Sequence, residues 1–342
     1  MTVRIAVVGA GFMGRLHART VAESAEAELA AVVDRDPAAG RAVAEELGSR
    51  YLADVEDALN EGVDAFVVAV PDRAHVEPAT TVLRAGRPVL VEKPMADTLE
   101  GARAIDRAAA EGGTSVMVGQ ILRFDPRYAG AAAAVAAGDI GEPIHVTAGR
   151  IASRDVGLRM NGTSSVLFYL GVHDVDAMQW VTGRRITRVY SRAVSKLMPA
   201  HGVQSEDAIF TVAELEDGTI GELFNGWTRR SDDPVGIDGR LEVMGTEGTV
   251  SVDVRDHGLR VYGGAGLATP DALHWPEVNA RIRGDLAAEV RAFVAAVRDG
   301  AEFPVPTDAA MRNVAVNDAI LRSVETGTPQ DVELVDKAES TR

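Results

Sequence analysis

The sequence predicts an α/β protein with two domains: a doubly wound parallel sheet at about 1–122 and an α+β domain with a mainly antiparallel sheet at about 123–342. Three observations support this prediction. The first part alternates strand-like and helical segments, a glycine-rich turn follows the first strand, and the later part contains strand-like runs joined by hairpin turns. The length of 342 residues also exceeds the size at which one hydrophobic core usually stops growing.

The N-terminal part contains five short runs rich in β-branched residues. They read VRIAVVG, ELAAVVD, DAFVVAV, PVLVEK and TSVMVG. Strands that are apolar almost without interruption are typical of a parallel sheet, because helices cover both of its faces. The alanine- and charge-rich segments between the runs supply those helices and complete βαβ units.

The C-terminal part begins with a predicted helix at about 126–137, followed by the strand-like run PIHVTAGRIAS and a Gly/Asn/Ser-rich loop at 157–165. The segment LFYLGVHDVDAMQW, 167–180, predicts a buried helix, because most of its positions are apolar. Strand-like runs follow: RITRVYSRAVS, DAIFTVAEL, TIGELFNGWT, GRLEVMGT, GTVSVDV and LRVYGG. Helices at about 284–297 and 307–326 end the domain, and we expect the last one to pack back toward the N-terminal domain.

Composition and charge exclude several classes of partner and site. The formal net charge of −16 argues against nucleic acid or an anionic membrane surface as the main partner. The sequence has no cysteine, which excludes disulfides, thiolate metal sites and a cysteine nucleophile. The segment MTVRIAVVGAG leads directly into a strand and lacks the pattern of an export signal, and no apolar run is long enough to span a bilayer. We therefore expect a cytoplasmic protein.

The glycine-rich turn predicts a dinucleotide site. Gly9, Gly11 and Gly14 form a G-x-G-x-x-G pattern between the first strand and the first helix. Glycines at this spacing allow a tight turn and a close approach of the pyrophosphate, which binds at the helix N-terminus. We expect Phe12 and Met13, which lie inside the pattern, to contact the cofactor as well.

Asp34 ends the second strand and favours NAD as the cofactor. It stands 20 residues after Gly14, where a carboxylate accepts hydrogen bonds from the ribose hydroxyls and repels a 2′-phosphate. The adjacent Arg35 leaves two readings open, since an arginine here either faces the 2′-phosphate of NADP or stacks on adenine. NAD is the favoured cofactor and NADP the less favoured one.

Two further strand ends carry predicted cofactor contacts, because an open α/β sheet binds ligands at the carboxyl ends of its strands. These contacts are Val70, Pro71, His75, Glu92 and Lys93. The lysine is placed to point into the ligand crevice. The bond between Lys93 and Pro94 is a candidate cis peptide that would fix the direction of the lysine.

The segment 167–180 carries a polar stripe on an otherwise apolar helix. Tyr169, His173, Asp176 and Trp180 fall at i, i+4, i+7 and i+11, and so share one face. Ionisable groups on such a helix need a partner, a ligand or a water-filled cleft. A metal site is not expected, because no third ligand accompanies His173 and Asp176.

Six motifs follow one another along the chain: VVGAGFMG, VPDRAH, EKP, GQILRFDP, GVHDVDAMQW after the loop that begins SRD, and the tail FPVPTDAAMRNVAVNDAILRSVETG. In this order they resemble one known family, the glucose–fructose oxidoreductase/inositol dehydrogenase/MocA family of NAD(P)-dependent oxidoreductases. The resemblance implies a Rossmann domain and an α/β domain whose open sheet forms homodimers or homotetramers. It also implies metal-free hydride transfer between a nicotinamide and a hydroxyl-bearing carbon of a sugar, cyclitol or related polyol.

The resemblance also implies catalytic roles. Lys93 corresponds to the lysine of the EKP motif, and His173 to the catalytic histidine. Inositol dehydrogenase-like members carry D-x-x-x-H on this helix, whereas this chain has Tyr169 at the position of the aspartate. This departure makes Tyr169 the residue that marks an unusual substrate.

The expected chemistry is the oxidation of a secondary alcohol. His173 is suited to carry the hydroxyl proton, because the unperturbed pKa of histidine is near neutrality. Lys93 stabilises negative charge on the same oxygen. Tyr169 either orients the histidine, binds a substrate hydroxyl or only packs, and Asp176 either fixes the imidazole tautomer or binds a hydroxyl.

Three further residues are candidates for binding the substrate. Arg123, just past the last Rossmann strand, either contacts the substrate or pins the domain junction. Asp155 and Asn161 lie beside the loop at 157–165, where they either bind hydroxyls or supply ordinary surface polarity.

Two other functions remain open at this point. The chain is alternatively a non-catalytic NAD(P)- or sugar-binding protein with the same fold, or an enzyme of NAD-assisted elimination. Because both Lys93 and His173 are present, the sequence favours the dehydrogenase.

Overall fold

The computed structural model describes residues 2–255, 257–264 and 266–335, and this part of the chain forms two compact units. The first unit contains the residues up to Ile121, the segment His274–Met311 and Val335. The second contains Leu122–Leu273 and Arg312–Leu334. The sequence-based limits of 1–122 and 123–342 remain a prediction for independent domains. By contacts, the helix at Gly284–Asp299 belongs with the first unit, because it packs on the first helix and the first strand.

The strands and helices are numbered in chain order. The strands are β1 (Val3–Val8), β2 (Ala27–Val33), β3 (Arg50–Leu52), β4 (Ala65–Val68), β5 (Val89–Val91), β6 (Val116–Val118), β7 (Pro143–Ser153), β8 (Ile186–Val194), β9 (Ala208–Leu215), β10 (Ile220–Arg229), β11 (Ile237–Gly245), β12 (Thr249–Asp253), β13 (Val261–Gly263), β14 (Gly266–Ala268), β15 (Glu277–Val278), β16 (Arg281–Ile282) and β17 (Gln330–Asp331). The helices are α1 (Phe12–Ala22), α2 (Pro37–Leu47), α3 (Val55–Asn60), α4 (Val76–Arg84), α5 (Leu99–Gly112), α6 (Pro126–Ala137), α7 (Arg154–Met160), α8 (Val172–Thr182), α9 (Leu197–Ala200), α10 (Gly284–Asp299) and α11 (Thr307–Thr326). No helix in the described ranges is long and apolar enough to cross a membrane.

The sheet of the first unit has six parallel strands in the order β3-β2-β1-β4-β5-β6. Its central strands β1 and β4 are buried except at Arg4, as their largely apolar sequences predict. From β1 the chain adds strands on one side as far as β3, and then adds β4 to β6 on the other side. The place between β1 and β4 is therefore a topological switch point, where an open sheet of this kind binds ligands. The predicted doubly wound domain is confirmed, with one strand more than the five that the sequence indicated.

The additional strand, β3, lies at the edge of the sheet and has only three residues. None of them is fully buried, and only Tyr51 and Leu52 have large apolar surfaces. A strand this short leaves no periodic signal in the sequence. It is recognisable only from its pairing with β2.

The sheet of the second unit has seven strands in the order β12-β11-β7-β10-β9-β8-β17. β7 and β10 run parallel, and all other neighbours in this sheet are antiparallel. Helices α6 and α8 pack together, α6 on β12 and α8 on β7, β10 and β11. Large apolar side chains on alternate positions of β9, Phe210 and Val212, are exposed. The predicted mainly antiparallel sheet is confirmed.

The expected loop at 157–165 is wrong in its first part, because Gly157 to Met160 belong to α7. Ser153 caps this helix: its hydroxyl accepts a hydrogen bond from the N–H of Asp155, 3.3 Å away. Asn161 ends the helix in the left-handed conformation, with φ of 47°. The helix packs Gly157 closely against Trp227, where a Cβ would come within 2.7 Å of the indole ring.

The predicted helix at 167–180 consists of two parts. Leu167–Gly171 forms a π-helical turn, and α8 continues from Val172. Gly171 sits where a Cβ would come within 2.7 Å of Asn225 Oδ1. Turns of this type occur frequently at functional sites.

A buried ion pair fixes α8 to β7. Asp174 of α8 accepts hydrogen bonds from Arg150 Nε and Nη2 at 2.9–3.1 Å and from the amide nitrogen of Asn225 at 2.7 Å. Burial raises the pKa of the Asp174 carboxyl, although the Arg150 guanidinium opposes this shift. Burial also raises the pKa of Tyr128, whose hydroxyl lies 3.5 Å from Arg150 Nη2, to about 12. Burying these two charges costs desolvation free energy when the protein folds. Removing one partner costs more, because the other charge is then buried without compensation.

We predict that Asp174→Asn destabilises the protein by about 3–5 kcal/mol, because it leaves the buried guanidinium of Arg150 without a counter-charge. The control is Asp318→Asn, which removes a half-exposed carboxylate from its pair with Arg322 and should cost less than about 1 kcal/mol. Urea unfolding measures both values. Equal effects of the two substitutions would contradict the importance of the buried pair.

Candidate active site

The glycine turn after β1 has the geometry of a pyrophosphate-binding loop. Gly9 has φ of +105°, and a Cβ on it would lie 2.5 Å from the carbonyl oxygen of Ala69. A Cβ on Gly14 would lie 1.9 Å from the carbonyl oxygen of Gly9, so only glycine allows α1 to approach β1 this closely. At Gly11, by contrast, a Cβ would meet no described atom within 4 Å beyond its chain neighbours. The open space at Gly11 fits the approach of a pyrophosphate to the backbone.

Phe12 and Met13 begin α1 directly after this turn. The Phe12 side chain is exposed, and its ring lies edge-on to that of Trp275, with centroids 5.9 Å apart. Met13 is half-buried. Their place at the N-terminus of α1 agrees with the expected contact to a bound dinucleotide.

Asp34 is held at the end of β2 by two backbone N–H groups. Its Oδ2 accepts a hydrogen bond from Ala10 N at 2.6 Å, and its Oδ1 accepts one from Asp36 N at 2.8 Å. Each carboxylate oxygen has a second lone pair for a further donor. The carboxylate is thus oriented at the place where a Rossmann domain binds the ribose.

A cavity of about 620 Å³ lies at this edge of the first-unit sheet. Its walls come from the ends of β1, β2 and β4 and from the starts of α3 and α4. Six predicted cofactor contacts line it: Gly9, Gly11, Asp34, Arg35, Val70 and Pro71. The open glycine turn, the oriented carboxylate of Asp34 and the cavity together fit the adenosine diphosphate half of NAD.

His75 is buried, and its ring faces backbone on both sides. Nδ1 lies 2.8 Å from the carbonyl oxygen of Pro94, and Nε2 lies 2.9 Å from that of Val70. The ring therefore ties the loop after β4 to the loop after β5. These contacts favour a positioning role for His75 over the direct cofactor contact that the sequence suggested.

Glu92 fixes the backbone that carries Lys93. Its Oε1 lies 2.8 Å from Nε2 of the buried His17 on α1, and its Oε2 accepts a hydrogen bond from Lys93 N at 3.1 Å. Burial alone would raise the pKa of Glu92, but the contacts with His17 and Lys93 together outweigh it and lower the pKa. The peptide bond between Lys93 and Pro94 is cis, as predicted. Glu92 is thus a positioning residue for Lys93.

Glu289 of α10 is a buried carboxyl group that the sequence analysis missed. Burial, and then the charges of Glu92 and Asp285, raise its pKa well above the ordinary value. Its Oε1 has no hydrogen-bond partner among the described residues. A glutamate within the apolar face of α10 was the signal that could have revealed it.

In the second unit, His173 is the second residue of α8 and is half-buried. Asp176, one turn later, is fully buried and bound on both oxygens. Arg123 donates to it from Nε and Nη2 at 2.9 and 2.7 Å, and Asn313 of α11 donates at 2.8 Å. The structure thus brings the two candidates Arg123 and Asp176 together, as partners of each other. Asn313 is a contact that the sequence did not indicate.

Tyr169 lies in the π-helical turn and is half-buried. Its ring packs beside that of Trp227, with centroids 6.5 Å apart. Trp227 is fully buried and donates from Nε1 to the carbonyl oxygen of Glu206 at 2.7 Å, as expected for a core residue. Trp180 lies beside Arg123, whose guanidinium carbon is 5.5 Å from the ring centroid.

Asp155 and Asn161 both have local structural roles. Asp155 is exposed in the first turn of α7 and accepts a hydrogen bond from the hydroxyl of Ser231 at 2.7 Å. Asn161 is exposed and terminates the same helix. These contacts favour surface roles over the suggested binding of substrate hydroxyls.

Comparisons with known proteins agree with this geometry. The family model described as "Oxidoreductase family, NAD-binding Rossmann fold" matches residues 3–120, and the "GFO/IDH/MocA C-terminal domain" matches 128–251. Inositol 2-dehydrogenase 1 of Saccharopolyspora erythraea is 35% identical over 98% of this chain and 98% of its own length.

The chain belongs to the GFO/IDH/MocA oxidoreductase family. A second relative, the scyllo-inositol 2-dehydrogenase (NAD(+)) of Bacillus subtilis, is 30% identical over 97% of each chain. Among solved structures, a scyllo-inositol dehydrogenase from Lactobacillus casei with bound NAD(H) and scyllo-inositol has a TM-score of 0.85 at 22% identity. The superposition covers 97% of this chain and 99% of that one, a likeness that shows the fold. The protein is an NAD-dependent oxidoreductase whose first unit is the cofactor-binding Rossmann fold of the family.

We predict that the free energy of unfolding of Glu289→Gln increases relative to that of the native protein as the pH rises. The unfolded carboxyl loses its proton near its ordinary pKa of 4.5, whereas the folded one keeps it to a higher pH. Between these two pKa values the folded state binds more protons, so the stability of the native protein falls by up to about 1.4 kcal/mol per pH unit. Glutamine does not titrate and removes this loss.

Urea unfolding at pH 5 to 9 measures this difference. The control Glu111→Gln changes an exposed glutamate of the same unit and should show no such trend. A stability difference between Glu289→Gln and the native protein that stays constant across the pH range would contradict the prediction.

Proposed function

We propose that the protein is a dehydrogenase of an inositol or a closely related cyclitol or sugar, which interconverts a secondary alcohol and its ketone with NAD. The main support is the 35% identity to inositol 2-dehydrogenase 1 over nearly the full length of both chains. The presence of Lys93 and His173 at the positions of the family's catalytic lysine and histidine supports the same reaction.

The proposed chemistry divides the reaction between the cofactor and these two side chains. When bound, NAD accepts the hydride from the alcohol carbon. The imidazole of His173 takes the proton from the substrate hydroxyl, and the ammonium of Lys93 donates a hydrogen bond to the same oxygen. In the reverse direction, His173 returns the proton to the oxygen of the ketone.

Asp176 and Arg123 act in this proposal as positioning residues. Since both carboxylate oxygens of Asp176 already accept hydrogen bonds from Arg123 and Asn313, Asp176 holds α8 in place beside His173. Tyr169 is the proposed substrate contact on this helix, because it is half-buried and its ring is fixed against Trp227.

NAD is the proposed physiological cofactor, and NADP the less favoured one. The backbone N–H groups of Ala10 and Asp36 orient the carboxylate of Asp34 toward the expected position of the ribose hydroxyls. Its negative charge would repel a 2′-phosphate at that position. We place the enzyme in the cytoplasm, as a compartment that holds this cofactor.

We predict that Lys93→Ala and His173→Ala each lower kcat on the polyol substrate by about 10²–10⁴-fold, the usual contribution of a general base or an electrostatic stabiliser. NADH binding, followed by fluorescence titration, should remain in His173→Ala, whereas Lys93→Ala, which also removes a predicted cofactor contact, should weaken it far less than it lowers kcat. The matched controls Lys196→Ala and His145→Ala change exposed residues of the same types. The substrate comes from a screen of cyclitols and sugars with NAD and NADP, which follows the absorbance of the reduced nicotinamide.

Two results of this experiment would contradict the proposal. If both catalytic variants keep the activity of the native protein, the mechanism is wrong. If the native protein binds NADH but oxidises or reduces no cyclitol or sugar, the non-catalytic binding protein is the better description.

We also propose a homodimer or homotetramer formed through the outer face of the second-unit sheet. By strand register, five exposed large apolar side chains share this face: Tyr190, Val194, Phe210, Val212 and Ile220. Phe210 stacks on Phe224 with ring centroids 6.4 Å apart, so part of this face is already ordered. Exposed apolar patches of this kind mark protein–protein interfaces.

We predict that Val212→Glu lowers the molar mass in light scattering toward that of one chain, because it places a charge in the apolar interface. The control Val261→Glu changes an equally exposed valine on β13, outside this sheet, and should leave the mass unchanged. A mass that Val212→Glu does not alter would exclude this face as the interface.

A further inference from the structure

The cavity of the first unit contains an ion pair that links two of its walls. Arg35 follows β2, and Glu77 lies in the first turn of α4, 42 residues later in the chain. The Nη2 of Arg35 donates to the Oε2 of Glu77 at 2.5 Å, and both residues line the cavity. Both side chains are more than three-quarters exposed, so the pair is accessible to a ligand.

Among the described residues that line this cavity, the charged groups are predominantly acidic. They are Asp34, Asp36, Asp54, Glu56 and Glu77, with Arg35 as the cation. A 2′-phosphate bound beside Asp34, away from the glycine turn that receives the pyrophosphate, would therefore depend on Arg35 for a positive charge. Arginine is the side chain best suited to such a group, because its guanidinium forms two charge-assisted hydrogen bonds to phosphate oxygens.

Three of these carboxylates already orient backbone groups. Asp34 accepts from Ala10 N and Asp36 N, Asp36 accepts from Ala38 N, and Asp54 accepts from Asp57 N. Glu77 instead directs its carboxylate to the guanidinium of Arg35. It is thus placed to neutralise the cation that would otherwise attract a phosphate.

We propose that Glu77 is a cofactor-specificity residue. By binding Arg35 it withholds the guanidinium from the 2′-phosphate of NADP, and its own charge repels that phosphate. Discrimination against NADP then depends on Glu77 on α4 as well as on Asp34 at the end of β2. The two carboxylates act differently: Asp34 faces the ribose, and Glu77 controls the neighbouring arginine.

The test is the variant Glu77→Gln, which keeps the size of the side chain and removes its charge. Calorimetric titrations with ADP-ribose, 2′-phospho-ADP-ribose, NAD and NADP measure binding without any substrate. We expect the affinity for the two 2′-phosphorylated ligands to rise about five- to tenfold, the effect of one exposed charge pair gained and one repulsion lost. The affinity for ADP-ribose and NAD should change by less than about twofold.

The matched control is Glu111→Gln, which removes the same charge from another exposed ion pair of the first unit. Glu111 pairs with Arg84 at 2.9 Å, and neither residue lines the cavity. This variant should not change the preference between the two kinds of ligand. An equal gain in both variants would attribute the effect to net charge and overturn the proposal.

The double variant Arg35→Ala/Glu77→Gln tests whether the gain in affinity depends on the guanidinium of Arg35. We expect it to lose most of the gain in affinity for the 2′-phosphorylated ligands, because the released guanidinium is then absent. A gain that persists without Arg35 would overturn the proposed withholding of the arginine, and so would the absence of any gain in Glu77→Gln. Glu77→Ala should reproduce the result of Glu77→Gln. All titrations are made at one low ionic strength, since salt screens exposed charges.

Discussion

Helix α8 carries two carboxylates into the interior of the second unit, and buried charge of this kind must be neutralised. Asp174 is neutralised by Arg150 of β7, and Asp176 by Arg123 from the segment that precedes α6. Asp174 and Asp176 both follow His173 within one turn of α8, and their pairs leave the helix in different directions. They determine how the helix is rotated and where it stands on the sheet. A group that is to exchange a proton with a substrate needs such a fixed support, because small displacements weaken proton transfer.

The same rule applies in the first unit around Lys93. Glu92 is the buried charge there, and His17 of α1 together with the N–H of Lys93 compensates it. The helix that begins at the pyrophosphate-binding turn thus also supports the segment that carries the lysine. Burial and the charge of Glu92 both raise the pKa of Glu289, because a second buried carboxylate would not be compensated. In both units the buried charges near the candidate catalytic groups are compensated by partners on other segments, and these contacts hold in place the elements that carry those groups.

Most of the sequence-based predictions that the structure confirms depend on local patterns of residues. The fold class, the glycine turn, the cis bond before Pro94 and helix α6 each depend on neighbouring residues, and the structure agrees with all four. The edge strand β3 and the start of α7 were missed because they are short. The pairs Arg150–Asp174 and Arg35–Glu77 were missed for another reason, since they join residues 24 and 42 positions apart. Only the topology of the sheets brings such residues together.

Tyr169 is the residue through which we propose that this structure bears on the choice of substrate. Where the family resemblance implies an aspartate before the histidine, this chain has a phenol beside Trp227, in a π-helical turn that is packed closely at Gly171. A carboxylate only accepts hydrogen bonds and attracts cations, whereas a phenol both donates and accepts and carries no charge. As a substrate contact, Tyr169 therefore suits a neutral polyol, whose hydroxyls also donate and accept. It offers no counter-charge to an amino group, so a cationic aminocyclitol would lose the partner that the aspartate provides.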